Sequence, residues 1–214
     1  MNVKAALFDL DGVVFDTEPQ YTDFWGMIGR RYLLDVNEFE YKIKGQTLVQ
    51  IFEEWFPENE NLQSEIVKAL NDFEANMRYE YVTGLVDFLT ILKSYSVKTA
   101  IVTSSNLPKM QNVYAQHPQF KELFDAILTS EDFDESKPSP DCYLKAAAKL
   151  NTNVKDCVVF EDSINGVKSG VNAGMKVVGL STTNPESVLA SLCDIVIPNF
   201  ESVGIEIITD LVGE

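Results

Sequence analysis

The chain has 214 residues, of which 45% are hydrophobic and 23% charged, a balance that predicts a folded domain and excludes a disordered or low-complexity chain. This length suits one large domain, or one domain that carries an insertion. Seventeen basic residues against 33 acidic ones give a net charge of −16, which repels phosphate backbones and disfavours nucleic acid as a partner.

The first predicted element is a buried strand, and the stretch that follows it is predicted to be helical. Lys4–Phe8 is an apolar run without polar alternation, as is typical of a parallel strand that is covered on both faces. Between Asp16 and Tyr81 no such run occurs, and the apolar residues recur at helical spacing. They are Phe24, Trp25, Ile28, Ile51, Phe52, Trp55, Ile66, Leu70, Phe73 and Met77. We therefore predict a small helical cap over residues 16–81, inserted into a core formed by residues 1–15 and 82–214.

Strands and helices alternate in the remainder of the chain. Five more apolar runs predict strands, at Val97–Thr103, Asp125–Leu128, Cys157–Phe160, Lys176–Leu180 and Asp194–Ile197. One helix is predicted from Ser139-Pro140 to Leu150, and another is predicted to be capped by Asp162-Ser163 and to end at Gly174. The pattern predicts an α/β fold: a doubly wound parallel-sheet (Rossmann-like) core with an inserted all-helical cap.

Several simple features limit the expected location and chemistry of the protein. No apolar run approaches the roughly 18 residues that a membrane-spanning helix needs, so no membrane partner is expected. The apolar start is too short for a signal peptide, and we expect a soluble, cytoplasmic protein, with a monomer as the expected state. The three cysteines lack pairing or metal-ligand spacing and are expected to be reduced, and the single histidine, His117, is expected at the surface.

Polar segments follow four of the predicted strands. In a doubly wound sheet the carboxyl ends of the strands meet at the ligand site. The segments are Asp9-Leu10-Asp11-Gly12, Thr103-Ser104-Ser105-Asn106, Lys137-Pro138 and Glu161-Asp162. Singly, each could be a turn, a helix cap or a solvated lysine. Together they bring four carboxylates to one edge, where the charges repel one another unless a cation lies among them, and oxygen ligands of this kind suit Mg²⁺. The set predicts a magnesium-dependent phosphoryl-transfer site.

The two aspartates after the first strand have distinct predicted roles. Asp9 is the candidate nucleophile, which would form an aspartyl phosphate. Asp11 is the candidate general acid and base, which would protonate the leaving oxygen and later accept a proton from water.

The other polar segments supply the predicted ligands of the metal and the phosphate. The candidate metal ligands are Asp9, the carbonyl group of Asp11, and Asp162 with help from Glu161. Thr103 and the backbone N–H group of Ser104 are expected to hold phosphoryl oxygens, and Lys137 is expected to stabilise the transition state with its positive charge.

The order of these segments resembles the four motifs of the haloacid dehalogenase-like hydrolases. Further matching segments are Phe8-Asp9-Leu10-Asp11-Gly12-Val13, Asp16-Thr17-Glu18 and Phe160-Glu161-Asp162-Ser163. They resemble the subgroup with a helical cap, which contains β-phosphoglucomutases and sugar-phosphate phosphatases. The resemblance implies Mg²⁺ as the cofactor, a small phosphorylated metabolite as the substrate, and the roles described above. It also marks Glu18, Lys44, Ser105 and Asn106 as candidate substrate-binding residues.

Two departures from the mutases favour hydrolysis. The loop Lys44-Gly45-Gln46-Thr47-Leu48 resembles their substrate-recognition loop, but Leu48 takes the place of an arginine that would bind a second phosphate. Glu18-Pro19-Gln20-Tyr21 lies where the mutases carry a histidine. We therefore predict a Mg²⁺-dependent phosphatase of sugar or polyol phosphates. The alternatives are a β-phosphoglucomutase-like mutase and a non-catalytic phosphate-binding protein. Metal-independent haloalkanoate dehalogenation is disfavoured, because the chain keeps Asp11 and the acidic pair Glu161-Asp162.

Overall fold

A six-stranded, wholly parallel β-sheet forms the centre of the computed structural model, which describes residues 3–44 and 46–212. The strands are β1 (Ala5–Phe8), β2 (Lys98–Val102), β3 (Ala126–Leu128), β4 (Cys157–Glu161), β5 (Lys176–Leu180) and β6 (Ile195–Ile197). Their order in the sheet is β3-β2-β1-β4-β5-β6. All six predicted runs form strands, and the predicted α/β fold is confirmed.

Ten α-helices occur in the described ranges. They are α1 (Glu18–Tyr32), α2 (Phe39–Lys42), α3 (Leu48–Trp55), α4 (Glu60–Asn76), α5 (Leu85–Ser94), α6 (Leu107–Gln116), α7 (Asp141–Lys149), α8 (Ile164–Asn172), α9 (Glu186–Leu189) and α10 (Glu206–Val212). The predicted helix starting at Ser139-Pro140 is α7, and Ser163 caps α8 as predicted, with its hydroxyl accepting the Gly166 N–H at 3.0 Å. None of the described helices is both long enough and apolar enough to cross a bilayer.

Apolar side chains cover both faces of the sheet, which explains why its strands read as uninterrupted apolar runs. Along β1, Ala6 and Phe8 point into one buried cluster with α5, α6 and α10, whereas Ala5 and Leu7 point into another with α7, α8 and α9. The Phe8 ring stacks on Phe160 of β4 with its centroid at 4.7 Å. The central strand is therefore fixed from both sides, and the position of its carboxyl end is fixed with it.

The helices α1–α4 lie between β1 and α5, within the segment 16–81 that we call the helical insert. Most of the predicted apolar stripe, including Phe24, Ile28 and Ile66, forms a third buried cluster in this segment. Met77 differs, because it packs into the cluster on the sheet. The segment that leads from the sheet to the insert lies beside the segment that returns from it, because Val82 N–H donates to Val14 O at 3.0 Å. The boundaries at 16 and 81 stay a prediction.

The histidine and the cysteines occupy partly or fully buried positions. His117 is half-buried and not simply at the surface, because its ring stacks on Phe15 with centroids 5.2 Å apart and its Nε2 lies 2.7 Å from the carbonyl oxygen of Tyr79. Cys142 and Cys157 are buried and free of disulfides, as is the half-buried Cys193.

Gly84 and Gly174 provide a matched test of backbone strain. Both are left-handed, with φ of +81° and +75°. A Cβ on Gly84 would collide with the backbone of Phe200 and Glu201, whereas one on Gly174 would meet only Val154 Cγ1 at 3.8 Å. We expect Gly174→Ala to lower the free energy of unfolding by about 1–2 kcal/mol, the left-handed cost alone. Gly84→Ala should cost about 1–3 kcal/mol more, because the backbone there must also shift.

Urea unfolding of both variants, followed by circular dichroism, measures this difference. Equal losses in the two variants would contradict the predicted collision at Gly84.

Candidate active site

The topology of the sheet brings three polar strand ends together. β1 lies between β2 and β4, and Phe8 is in register with Ile101 and Phe160. Asp9 follows directly, and its N–H donates to Phe160 O at 3.0 Å. The order of the strands reverses between β1 and β4, which is where ligands bind in open α/β sheets. Asp9 therefore stands at the switch point, beside the residues that follow β2 and end β4.

Lys137 links two carboxylates from neighbouring strands. Its ammonium group is 2.6 Å from Asp9 Oδ1, 2.6 Å from Glu161 Oε1 and 3.1 Å from Val102 O. The side chain is only 7% exposed, and its three protons have three acceptors. Although burial opposes it, the attraction of Asp9 and Glu161 raises the pKa of Lys137 above its ordinary value. Lys137 therefore stays charged and holds one oxygen of Asp9 in place.

Glu161 is surrounded by hydrogen-bond donors. Besides Lys137, its Oε1 accepts the Tyr143 hydroxyl at 2.8 Å. Its Oε2 accepts the N–H groups of Asp162 at 3.1 Å and Ser163 at 3.3 Å. Gly166 leaves room for this carboxylate, because a Cβ there would overlap its carboxyl carbon and both of its oxygens. The geometry suits Glu161 as the residue that orients Lys137, and its predicted help in holding the metal stays a prediction.

Three of the four predicted carboxylates form a cluster. Asp9, Glu161 and Asp162 offer oxygen atoms that lie within 4.8 Å of one another. Burial raises the pKa of Asp9 to about 7 against the attraction of Lys137, with repulsion from Glu161 adding to it. Burial also raises the pKa of Asp162 well above its usual range, and Glu161 and Asp9 contribute. A bound divalent cation would relieve this repulsion, and an all-oxygen donor set fits Mg²⁺.

Asp11 lies at the same sheet edge but outside that cluster, and it has partners of its own. Its Oδ1 accepts the Thr17 hydroxyl at 2.7 Å. Its Oδ2 accepts the Ser105 hydroxyl at 3.1 Å and pairs with Lys109 Nζ at 2.5 Å. The repulsion expected at Asp11 is thus offset by a second buried lysine and two hydroxyl groups.

The loop after β2 is shaped by its own side chains. Thr103 is 1% exposed, and its hydroxyl accepts the Ser105 N–H at 3.0 Å. Asn106 caps α6 by accepting the Lys109 N–H at 3.0 Å. Ser104 is exposed at the tip of the loop. The loop is therefore an ordered turn into a helix, the kind of backbone that binds phosphate oxygens.

A cleft separates this sheet edge from the helical insert and gathers most of the predicted residues. Those that line it are Asp9, Asp11, Glu18, Thr103, Ser104, Ser105, Asn106, Lys137 and Asp162, together with Leu48. Lys44 lines the adjoining pocket and pairs with Glu18 at 3.0 Å. Glu161 is fully buried behind the cleft. Gly45 of the recognition loop lies outside the described residues.

Three contacts at the site involve residues to which sequence reasoning gave no role. Thr183 donates its hydroxyl to Asp162 Oδ2, and Asn184 Nδ2 donates to Asp162 O at 2.9 Å. Both follow β5, so the rule used for the other strand ends would have found them. Lys109 shares the buried face of α6 with Met110 and Val113. The one feature of the sequence that could have identified it is a lysine among the apolar residues of a helix.

Comparison with known proteins places these residues in a family. A family model described as haloacid dehalogenase-like hydrolase matches residues 3–174. The chain is 30% identical to the probable pseudouridine-5'-phosphatase of Drosophila melanogaster, over 90% of this chain and 91% of that protein.

Two solved structures share the fold over nearly the whole chain. A HAD hydrolase of family IA, variant 3, from Entamoeba histolytica has a TM-score of 0.85 at 25% identity and covers 99% of this chain and 100% of its own. A β-phosphoglucomutase from Clostridium difficile has a TM-score of 0.76 at 24% identity, with 99% and 97% covered.

The raised pKa of Asp9 predicts a pH-dependent effect of Mg²⁺ on stability. In metal-free protein the folded pKa of about 7 exceeds the ordinary 3.8, so stability is lost as the pH rises through that window. Mg²⁺ needs the ionised carboxylates and offsets their repulsion. It should therefore raise the melting temperature more at about pH 8 than at about pH 5. Thermal unfolding in EDTA and in MgCl₂ at both pH values measures this.

Asp162→Asn should abolish most of the Mg²⁺-induced shift, whereas Asp16→Asn, at an exposed position that is not part of the cluster, should keep it. A shift of the same size at both pH values, or one that survives in Asp162→Asn, would contradict a metal site at this cluster.

Proposed function

The chain belongs to the haloacid dehalogenase-like hydrolases, and we propose that it is a Mg²⁺-dependent phosphatase of a small phosphorylated metabolite, a sugar or polyol phosphate. One observation carries the proposal. Asp9 is fixed by Lys137 beside Asp162, while Asp11, two residues on, faces the same cleft with its own lysine. The nucleophile and the acid/base group are thus held separately at one sheet edge.

Asp9 carries the first chemical step. Lys137 contacts Oδ1, and we assign the attack on phosphorus to Oδ2. The bond between Asp9 and phosphorus forms while the bond to the leaving oxygen breaks, and Asp11, as the general acid, supplies a proton to that oxygen. Lys137 stabilises the charge that builds up on the phosphoryl group.

The second step regenerates the enzyme. A water molecule attacks phosphorus, Asp11 takes its proton, and the bond to Asp9 breaks to release inorganic phosphate. When bound, Mg²⁺ would offset the repulsion between the phosphate and the carboxylates, and Asp9, Asp162 and the Asp11 carbonyl group are the residues that we assign to it, with Glu161 adding charge.

The charges in the described part of the cleft favour a phosphatase over a phosphosugar mutase. Among the described residues that line the cleft and its adjoining pocket, the cationic side chains are Lys44, Lys109 and Lys137, and each already contacts a carboxylate. Leu48 has no charge with which to hold a second phosphate. These pairings favour a leaving group without a second anionic group, and they make the mutase the second candidate.

The remaining expectations are proposals of the same kind. The relative named as a pseudouridine-5'-phosphatase supports a small phosphorylated substrate. A cytoplasmic location and a monomeric state stay predictions, and size-exclusion chromatography with light scattering would test the second.

Replacing either aspartate with asparagine tests the proposed chemistry. Asp9→Asn keeps the shape but removes the attacking anion, so turnover of a sugar or polyol phosphate should fall at least about a thousandfold. Asp11→Asn should also be severely impaired, because the proton transfers are lost. Phosphate release measures both, with circular dichroism to verify folding and Asp16→Asn as the exposed control. Near-normal turnover by folded Asp9→Asn would contradict the assignment.

Phosphorus NMR separates the phosphatase from the mutase. With β-glucose 1-phosphate and a trace of the bisphosphate, we expect inorganic phosphate to form faster than glucose 6-phosphate. Without an arginine at position 48 to hold the second phosphate of the sugar, water should react with the phosphorylated Asp9 before the sugar does. Leu48→Arg would add a bidentate anion contact and should slow phosphate release more than phosphoenzyme formation. Leu48→Met, of similar size but uncharged, is the control. Glucose 6-phosphate as the main wild-type product would favour the mutase.

A further inference from the structure

Lys109 is a buried lysine in an unfavourable position. Its side chain is 4% exposed, and it lies in the first turn of α6, where the helix dipole repels a positive charge. Burial of an ammonium group adds a desolvation cost. A lysine in this place needs specific partners, and the structure provides them.

The partners of Lys109 lie on both sides of the cleft. Its Nζ is 2.5 Å from Asp11 Oδ2 and 4.8 Å from the ring centroid of Tyr21. Tyr21, on α1, donates its hydroxyl to Glu74 Oε1 on α4 at 2.7 Å. Burial raises the pKa of Glu74, and the positive charge of Lys109 opposes that shift, so the two groups interact electrostatically. A continuous chain of contacts thus runs from Asp11 through Lys109 to two helices of the insert.

The two buried lysines divide the site between them. Lys137 contacts Asp9 and Glu161, whereas Lys109 contacts Asp11. The backbone of Lys109 is also fixed, because its N–H donates to Asn106 of the loop after β2. Ser105 of the same loop donates to the same oxygen of Asp11.

We propose that Lys109 is a positioning residue for the acid/base Asp11, and that the Tyr21–Glu74 pair makes this positioning depend on the helical insert. The inference rests on the proposed function. It separates the two halves of the chemistry: loss of Lys109 should impair the proton transfers of Asp11 and spare the attack by Asp9.

The choice of leaving group distinguishes these two halves. Departure of p-nitrophenolate needs no proton, whereas departure of an alkoxide such as that from glycerol 3-phosphate does. In Lys109→Met, kcat/KM for the alkyl phosphate should fall about 100-fold or more, the usual contribution of general acid catalysis. For p-nitrophenyl phosphate, kcat/KM should stay within about threefold of wild type.

A second signature appears with p-nitrophenyl phosphate alone. Asp11 must still activate water in the second step, so kcat should fall and KM should fall with it, with a pre-steady-state burst of p-nitrophenol. If the role of Lys109 were purely structural, kcat/KM would fall equally for both substrates and no burst would be seen. Lys109→Arg should restore part of the alkyl phosphate activity, because it keeps the charge.

Two further variants keep the test decisive if Lys109→Met folds poorly by circular dichroism. Tyr21→Phe keeps the ring over Lys109 but removes the bond to Glu74, and Glu74→Gln removes the charge. Both variants should lose more kcat/KM for the alkyl phosphate than for p-nitrophenyl phosphate, with a smaller difference than in Lys109→Met. Lys121→Met is the control, since Lys121 is exposed and lies over the ring of Tyr114, which is not part of this chain of contacts.

Equal losses for the two substrates, or no loss for either, would overturn the role of Lys109. Failure of the proposed function looks different, because the wild-type protein itself would then release phosphate from neither substrate.

Discussion

The contact of the Lys137 ammonium group with Asp9 and Glu161 is the interaction on which the site depends. Two carboxylates from adjacent strands end within 2.6 Å of one buried cation. Removing Lys137 would leave both carboxylates without a compensating cation in a buried place, which is costly in any protein. Tyr143 and the backbone amides around Glu161 fix the other end of the bridge, so the position of Asp9 follows from the packing beneath it.

Around that bridge the charges fall into separate groups with separate tasks. Burial raises the pKa values of Asp9 and Asp162, and repulsion from Glu161 adds to the shift of both. Asp11, by contrast, is already paired with Lys109. Under the proposed function, a protein with a net charge of −16 attracts an anionic substrate because Lys109 and Lys137, the buried lysines of the described residues, lie at the same sheet edge as the proposed metal site.

The sequence predicted those features that depend on neighbouring residues in the chain. It did not predict contacts between residues that are far apart in the sequence. Buried parallel strands leave uninterrupted apolar runs, so the strands and the polar residues directly after them were predictable. Lys109 was not, because 98 residues separate it from Asp11 and only the fold brings them together. Met77 shares the helical spacing of the insert but packs on the sheet. The spacing of apolar residues shows which face of a helix is buried, but it does not show which element covers that face. For the same reason the sequence predicted four carboxylates at one edge but not the separate partner of Asp11.

The side-by-side connections of the helical insert have an evolutionary consequence. The chain crosses from the sheet to the insert and back through backbone segments that hydrogen-bond to each other, Val14 with Val82 and Asp16 with Glu80. The two ends of the helical insert are therefore adjacent in space. The order of the strands in the sheet does not depend on the length or sequence of the insert. Helices of other lengths and sequences could replace these ones while the strands keep their order. Such an exchange would change the walls of the cleft and leave Asp9 and Lys137, which the sheet and its neighbours hold, in place.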